Sequence, residues 1–360
     1  MTSRRAFLTA TALGLSALAS QPAFATETIN LTVLSGYNDR ASWVRVFKEF
    51  WMPEVNRRLA ETGNYTLNYT EAFGTVVRPR GELEATATGI ADIGLVVSVF
   101  HADRLPLASV SFVTPFVTTD LELNARTYDE LTYRFPEMLG AWNDLGMEFL
   151  GHMGTIPTYA VLSSEPIESI EDFDGLKFAG AGLNLRWIEG LGATGVPSAL
   201  TRFYSDTQSG VSDGMISWAE TITGFNLCEV APYYIDAGMG AVTSFAVAAN
   251  SGTWSRLPEE VQNVMREVTP LYRDELARVT TEAAAAGLEA CVEQGGTIVE
   301  FTAEQREEWA AALPNIAQEW AADADEQGLP GTDVLNAYME IMRENDQPIL
   351  RDWDREGTTN

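Results

Sequence analysis

Asp172-Phe173-Asp174-Gly175-Leu176-Lys177-Phe178-Ala179 is followed by Leu191-Gly192-Ala193-Thr194 and then by Ser212-Asp213-Gly214. Residues 175–178 read as a strand, Gly180 and Gly182 let the chain turn tightly, and 184–191 is predicted to be a helix. Strand, turn and helix in that order are the sequence form of a parallel sheet with helical crossovers. The same alternation precedes the block. Residues 29–34 and the set Tyr65, Leu67, Tyr69 alternate apolar with polar and read as strands, with 90–97 a third, buried one. Between the first two, Trp43, Phe47, Phe50, Trp51, Val55 and Leu59 mark one face of a helix that Pro53 should bend or divide. A short helix is expected over 81–88.

Beyond these, 148–152 and 159–163 are predicted strands, and the small and apolar run 241–249 is a long strand returning through the protein. Pro258 suits a helix start, and the helical stripe continues to Ala290, interrupted at Pro270. Such a helix can run along two lobes. Thr302 with Gln305 makes a capping box, Trp309, Leu313, Ile316 and Trp320 point inward, and the stretch after Asp352 reads as a frayed tail. No Pro/Gly/Ser linker separates the halves, so lobes that exchange strands around a hinged cleft are expected.

At the N-terminus, Ser3-Arg4-Arg5-Ala6-Phe7-Leu8, a weakly polar run and Ala23-Phe24-Ala25 make an export signal. The paired arginines read as the twin-arginine type, with an ordinary secretory signal as the alternative. No later stretch approaches the run of about 18 to 20 apolar residues a spanning helix requires, so stable membrane insertion is not expected. A net charge of −28 disfavours nucleic acid and anionic membrane surfaces. Cys228 and Cys291 are too few for a disulfide scaffold, and they can be either bonded or two separate buried thiols.

Gly210-Val211-Ser212-Asp213-Gly214 matches the nucleophile elbow of serine hydrolases, which would make Ser212 a nucleophile. That fold needs serine, acid and histidine in order, and both histidines, His101 and His152, precede Ser212. No histidine or cysteine spacing fits a metal, and no Gly-rich phosphate motif appears; no catalytic residue, metal or cofactor is predicted. Aromatic and acidic residues cluster where strands give way to loops: Tyr37 and Trp43, Glu71 and Phe73, Trp218 and Glu220. In open α/β lobes the ligand crevice lies at the carboxyl ends of strands. Tyr37, Glu71, Phe73, Trp218 and Glu220 are therefore cleft candidates, while Trp43, on the helix stripe, reads as core.

The order of Gly74 to Leu83, Gly89-Ile90-Ala91-Asp92-Ile93, Pro115-Phe116, Gly175 to Lys177, Leu191 to Thr194 and Asp213-Gly214 resembles the solute-binding proteins of TRAP transporters. The resemblance spans nearly the whole chain after the signal. It implies an α/β, two-lobed periplasmic-binding-protein fold with strands exchanged between lobes and a long helix spanning both. On that pattern, 1–25 is the signal peptide, 26–150 with about 240–265 the first lobe, 151–239 with about 266–345 the second, and 346–360 a C-terminal tail. The implied function is a periplasmic receptor, not an enzyme, that binds a small organic solute and delivers it to the small and large TRAP permease subunits.

In the family an arginine after G-L-K-x grips the ligand's carboxylate. Here Ala179 stands in its place, and Ser217 stands where an Asn or Trp often helps hold the ligand. Losing one member of a buried charged pair costs about 2 to 5 kcal/mol. The expected ligand is therefore neutral or cationic, an amino alcohol or a quaternary amine attracted by aromatic faces and carboxylates. The alternatives are an organic acid held by another group, with Arg186 and Arg80 the nearest candidates, and a secreted serine hydrolase.

Overall fold

The computed structural model describes residues 26–355; the stretch read as an export signal lies outside them. Two sheets organise the chain. The first has the order β2 (Tyr65–Phe73), β1 (Glu27–Ser35), β3 (Ile93–Val97), β10 (Val242–Asn250) and β4 (Met147–Ile156). The second has the order β11 (Thr297–Glu300), β9 (Tyr233–Asp236), β5 (Ala160–Ser163), β8 (Gly214–Ser217), β6 (Lys177–Gly180) and β7 (Thr194–Pro197). β1, β2 and β3 run parallel, as do β6, β7 and β8. β10 comes late in the chain yet inserts antiparallel between β3 and β4 in the first sheet. The chain thus crosses between sheets three times, at β4 to β5, at β9 to β10 and, through the long helix, at β10 to β11, so each sheet takes strands from separate stretches of the chain.

β3 is buried along its whole length, which is why its sequence is a continuous apolar run rather than an alternation. The stripe beginning at Trp43 is helical from Ser42–Val46 to Met52–Thr62, joined by a π turn over Phe47–Trp51. Pro53 lacks an N–H and crowds the preceding turn, so the helix widens there instead of ending.

The long helix is Glu259–Glu293, unbroken through Pro270. An internal proline costs about 3 kcal/mol. Burial of Met265, Val268, Thr269 and Tyr272 on either side outweighs it, so the interruption expected there is absent. The first half of this helix serves the first lobe: Tyr272 donates to the Trp43 carbonyl at 2.6 Å, Thr269 accepts from Trp51 Nε1 at 3.1 Å, and Arg273 pairs with Asp129 at 2.8 Å. Its second half reaches the other lobe, where Gly287 packs on Ala219 and Cys291 is bonded to Cys228.

Two local expectations are corrected. The helix expected over 184–191 is a 3₁₀ helix at Gly182–Ile188, not an α-helix, and positive φ at Gly190 and Gly192 turns the chain into β7. The stretch after Asp352 is not frayed where it is described. Trp353 is fully buried and donates to the Pro115 carbonyl at 2.7 Å, and Asp354 pairs with Arg343 at 2.6 Å. Trp320 and Trp187 likewise donate to the carbonyls of Pro106 and Phe112. Three indoles from later in the chain thereby fasten the connection after β3. Among the described residues no helix is long and apolar enough to cross a membrane.

Candidate functional site

Carboxyl ends of the parallel strands in both sheets face one another, and a cavity lies between them. From the first sheet come Tyr37 and Trp43 after β1, Val99 and Phe100 after β3, and Phe245 on β10. The second contributes Tyr159 ahead of β5, Ala181 and Asn184 after β6, Phe203, and Ile216 and Trp218 on and after β8. The space between the sheets is about 430 Å³.

Seven aromatic rings form the walls. Tyr37 meets Trp43 edge-on at 5.0 Å, Tyr159 meets Trp218 edge-on at 5.5 Å, and Trp43 faces Trp218 across the lobes at 6.4 Å. None of the lining side chains is ionised: burial pushes the Tyr37 and Tyr159 hydroxyls up, which leaves them neutral phenols. Two donors are buried without an acceptor, Trp43 Nε1 and Asn184 Nδ2. Asn184 is fixed because its Oδ1 accepts the Ala181 N–H at 2.9 Å.

Carboxylates stand behind the rings. Glu220 is buried and accepts from Trp218 Nε1 at 3.0 Å; burial raises its pKa, with the Trp218 bond opposing. Glu82 is fully buried and accepts the N–H of Gly36 at 3.0 Å and of Arg80 at 2.9 Å. Desolvation lifts it to about 7, and those two bonds resist the shift. A Cβ at Gly36 would meet Glu82 Oε1 and the Pro79 nitrogen at 2.5 Å, so only glycine fits there. Arg80 has φ +85°, and its guanidinium lies 4.8 Å from the centroid of the Phe100 ring, at the edge of the cavity.

Of the residues singled out from sequence, Tyr37 and Trp218 line the cavity and Glu220 braces Trp218. Trp43, expected in the core, is buried there and also forms part of the cavity wall. Four candidates stand apart from it. Glu71 is exposed and pairs with Lys48 at 2.8 Å; Phe73 is packed in the first lobe's core. Ala179 is fully buried within β6, and Ser217 is buried in a bond to Thr221 at 2.8 Å. Arg186 is engaged by Glu189 and Glu319, at 2.9 and 2.6 Å. Ser212 is buried and bonded to Thr207 at 3.1 Å, with no histidine beside it, which leaves the hydrolase reading without a base. Tyr159, Asn184, Phe203 and Phe245 were missed because each sits within a pattern that reads as ordinary core or turn. Among the described residues no group of His, Cys, Asp and Glu could hold a metal.

The model of the bacterial extracellular solute-binding proteins, family 7 (DctP), matches residues 54–323. A C4-dicarboxylate-binding periplasmic protein of Vibrio cholerae is 24% identical over 181 residues, covering 50% of this chain and 52% of that protein. The chain thus spans about half the length of that curated relative. A TRAP solute-binding protein of Rhodoferax ferrireducens, solved with copurified benzoate, superposes with a TM-score of 0.80 at 19% identity, covering 88% of this chain and 98% of that one. One from Bordetella bronchiseptica, with bound (R)- and (S)-mandelate, gives a TM-score of 0.77 at 21% identity, covering 88% and 100%. At these identities the structural likeness establishes the two-lobed fold.

Proposed function

Because the chain belongs to the bacterial extracellular solute-binding proteins of family 7, we propose that it is the periplasmic receptor of a TRAP transporter, closing over a small organic solute and handing it to the small and large membrane subunits. It works as a carrier, not an enzyme. The ligand we propose is neutral or cationic, an amino alcohol or a quaternary amine.

The observation that carries this reading is the cavity wall, seven aromatic side chains with no ionised group, together with the Ala179 that stands in β6 where the family arginine would be. Ring faces attract organic cations, by about 2 kcal/mol or more when water is excluded. Glu82 behind Tyr37 and Glu220 on the Trp218 N–H place carboxyl oxygens behind those rings. The second reading, an organic acid held by another group, draws support from the two unpaired donors, Trp43 Nε1 and Asn184 Nδ2, and from the benzoate and mandelate on the relatives.

Thermal shift and tryptophan fluorescence with choline, tetramethylammonium, glycine betaine, benzoate and mandelate separate the two. A ligand at 100 times its Kd adds about 2.7 kcal/mol of stability. Stabilisation by the onium compounds is the expected result; stabilisation by the acids alone would replace the first reading with the second. Release of a bound probe to vesicles carrying both membrane subunits tests the partner.

A further inference from the structure

We propose that Arg80 grips a carboxylate at the mouth of the cleft, so that the solute taken is a zwitterion with its onium end among the rings. This rests on the receptor reading above and deepens it, since a zwitterion is neutral as a whole. Phe100 is the link between the two ends: its ring is part of the cavity wall, and the Arg80 guanidinium lies over it at 4.8 Å. The guanidinium is therefore at the cavity's edge and already oriented on an aromatic face, which lowers the entropy lost when its planar fork takes a carboxylate.

The Arg80 side chain is exposed and, among the described residues, pairs with no carboxylate. The chain carries 51 acidic residues against 23 basic ones, and Arg186, Arg273, Arg278 and Arg343 all hold carboxylates. Among the described residues Arg80 has no such ion pair, and neither do Arg78 and Arg104; what sets Arg80 apart is its place over the Phe100 ring and its backbone N–H bond to Glu82. Its backbone is in the left-handed region at φ +85°, where a plain loop would favour glycine. Glu82 holds that conformation by accepting the Arg80 N–H at 2.9 Å while it ties down Gly36, next to Tyr37, at 3.0 Å. One buried acid thereby sets the spacing between the aromatic box and the guanidinium.

The test compares probes that share an onium and differ in the carboxylate: glycine betaine and carnitine against choline, with benzoate as a carboxylate without onium. Affinities are read by tryptophan fluorescence for the wild type, Arg80→Gln and Arg80→Lys. The betaines are expected to bind the wild type more tightly than choline does. Arg80→Gln should weaken them about 10- to 100-fold, the worth of a hydrogen bond to a charged group, and leave choline within about threefold. Arg80→Lys should recover part of the loss. Because choline binding reports an intact box, a misfolded variant would betray itself by losing both. Choline binding as tightly as the betaines, or Arg80→Gln weakening all probes alike or none, overturns the proposal and leaves the receptor reading standing. Benzoate binding while neither betaine nor choline binds overturns the zwitterion in favour of an acid. Binding of no probe at all would remove the receptor reading and this inference with it.

Discussion

Glu82 is the residue on which the cavity's two first-lobe loops converge, and its burial makes it responsive to pH. Its pKa is about 7 in the fold against 4.5 for an ordinary glutamate, so between those values the native state holds a proton that the unfolded chain has released. The stability this group contributes is fully present below about pH 4.5 and is lost as pH rises through 7, by roughly 3 kcal/mol. Asp129, lifted to about 6 by burial against the pull of the His152 N–H and Arg273, acts in the same sense. His152, pushed down to about 3 by burial, acts in the opposite one and destabilises as pH falls below 6.5. Glu82→Gln is expected to flatten the decline between pH 4.5 and 7 whatever it does to the absolute level. Urea midpoints across that range check it, and an unchanged slope would show that Glu82 titrates normally. Phe73 and Trp43 show what residue-level reading could not see: both are core aromatics near a strand end, yet only Trp43 also faces the other sheet.

At the level of elements, helix and strand periods were legible because burial in this fold repeats locally. The stripe from Trp43 to Leu59, the buried run of β3 and the capping box at Thr302 all appear where their patterns place them. The misreadings occurred where contacts from elsewhere outweigh local rules, at Pro270, at the turn Gly182–Ile188 and at Trp353. Gly287 sits in the long helix for a similar reason. Alanine there would gain about 1 kcal/mol in helix propensity, but its Cβ would collide with the Ala219 carbonyl, which precedes Glu220 behind the cavity wall. Backbone cannot yield as a side chain can, so Gly287→Ala is expected to destabilise by roughly 1 to 3 kcal/mol. Chemical denaturation measures this; a more stable variant would mean that the helix slides freely over Ala219.

In the whole molecule, closure brings Gly182, after β6, against the carbonyl of Val99, after β3. Gly182 has φ +58°, which costs other L-residues roughly 1 to 2 kcal/mol, and a Cβ would strike that carbonyl. Gly182→Ala should therefore hold the lobes apart: a larger radius of gyration in solution scattering with saturating probe, and weaker binding without loss of the fold. Equal compaction of variant and wild type would place the closing contact elsewhere. The sequence by itself determined the charge, the period of the first strands and of the helices, and the order of turns by which the family is recognised, since each depends on neighbours a few residues apart. Only the tertiary structure decided which aromatics face the ligand space, because Tyr37, Trp43, Tyr159, Trp218 and Phe245 meet across two sheets, and an apolar side chain carries the same local signal whether it faces its own lobe or the other.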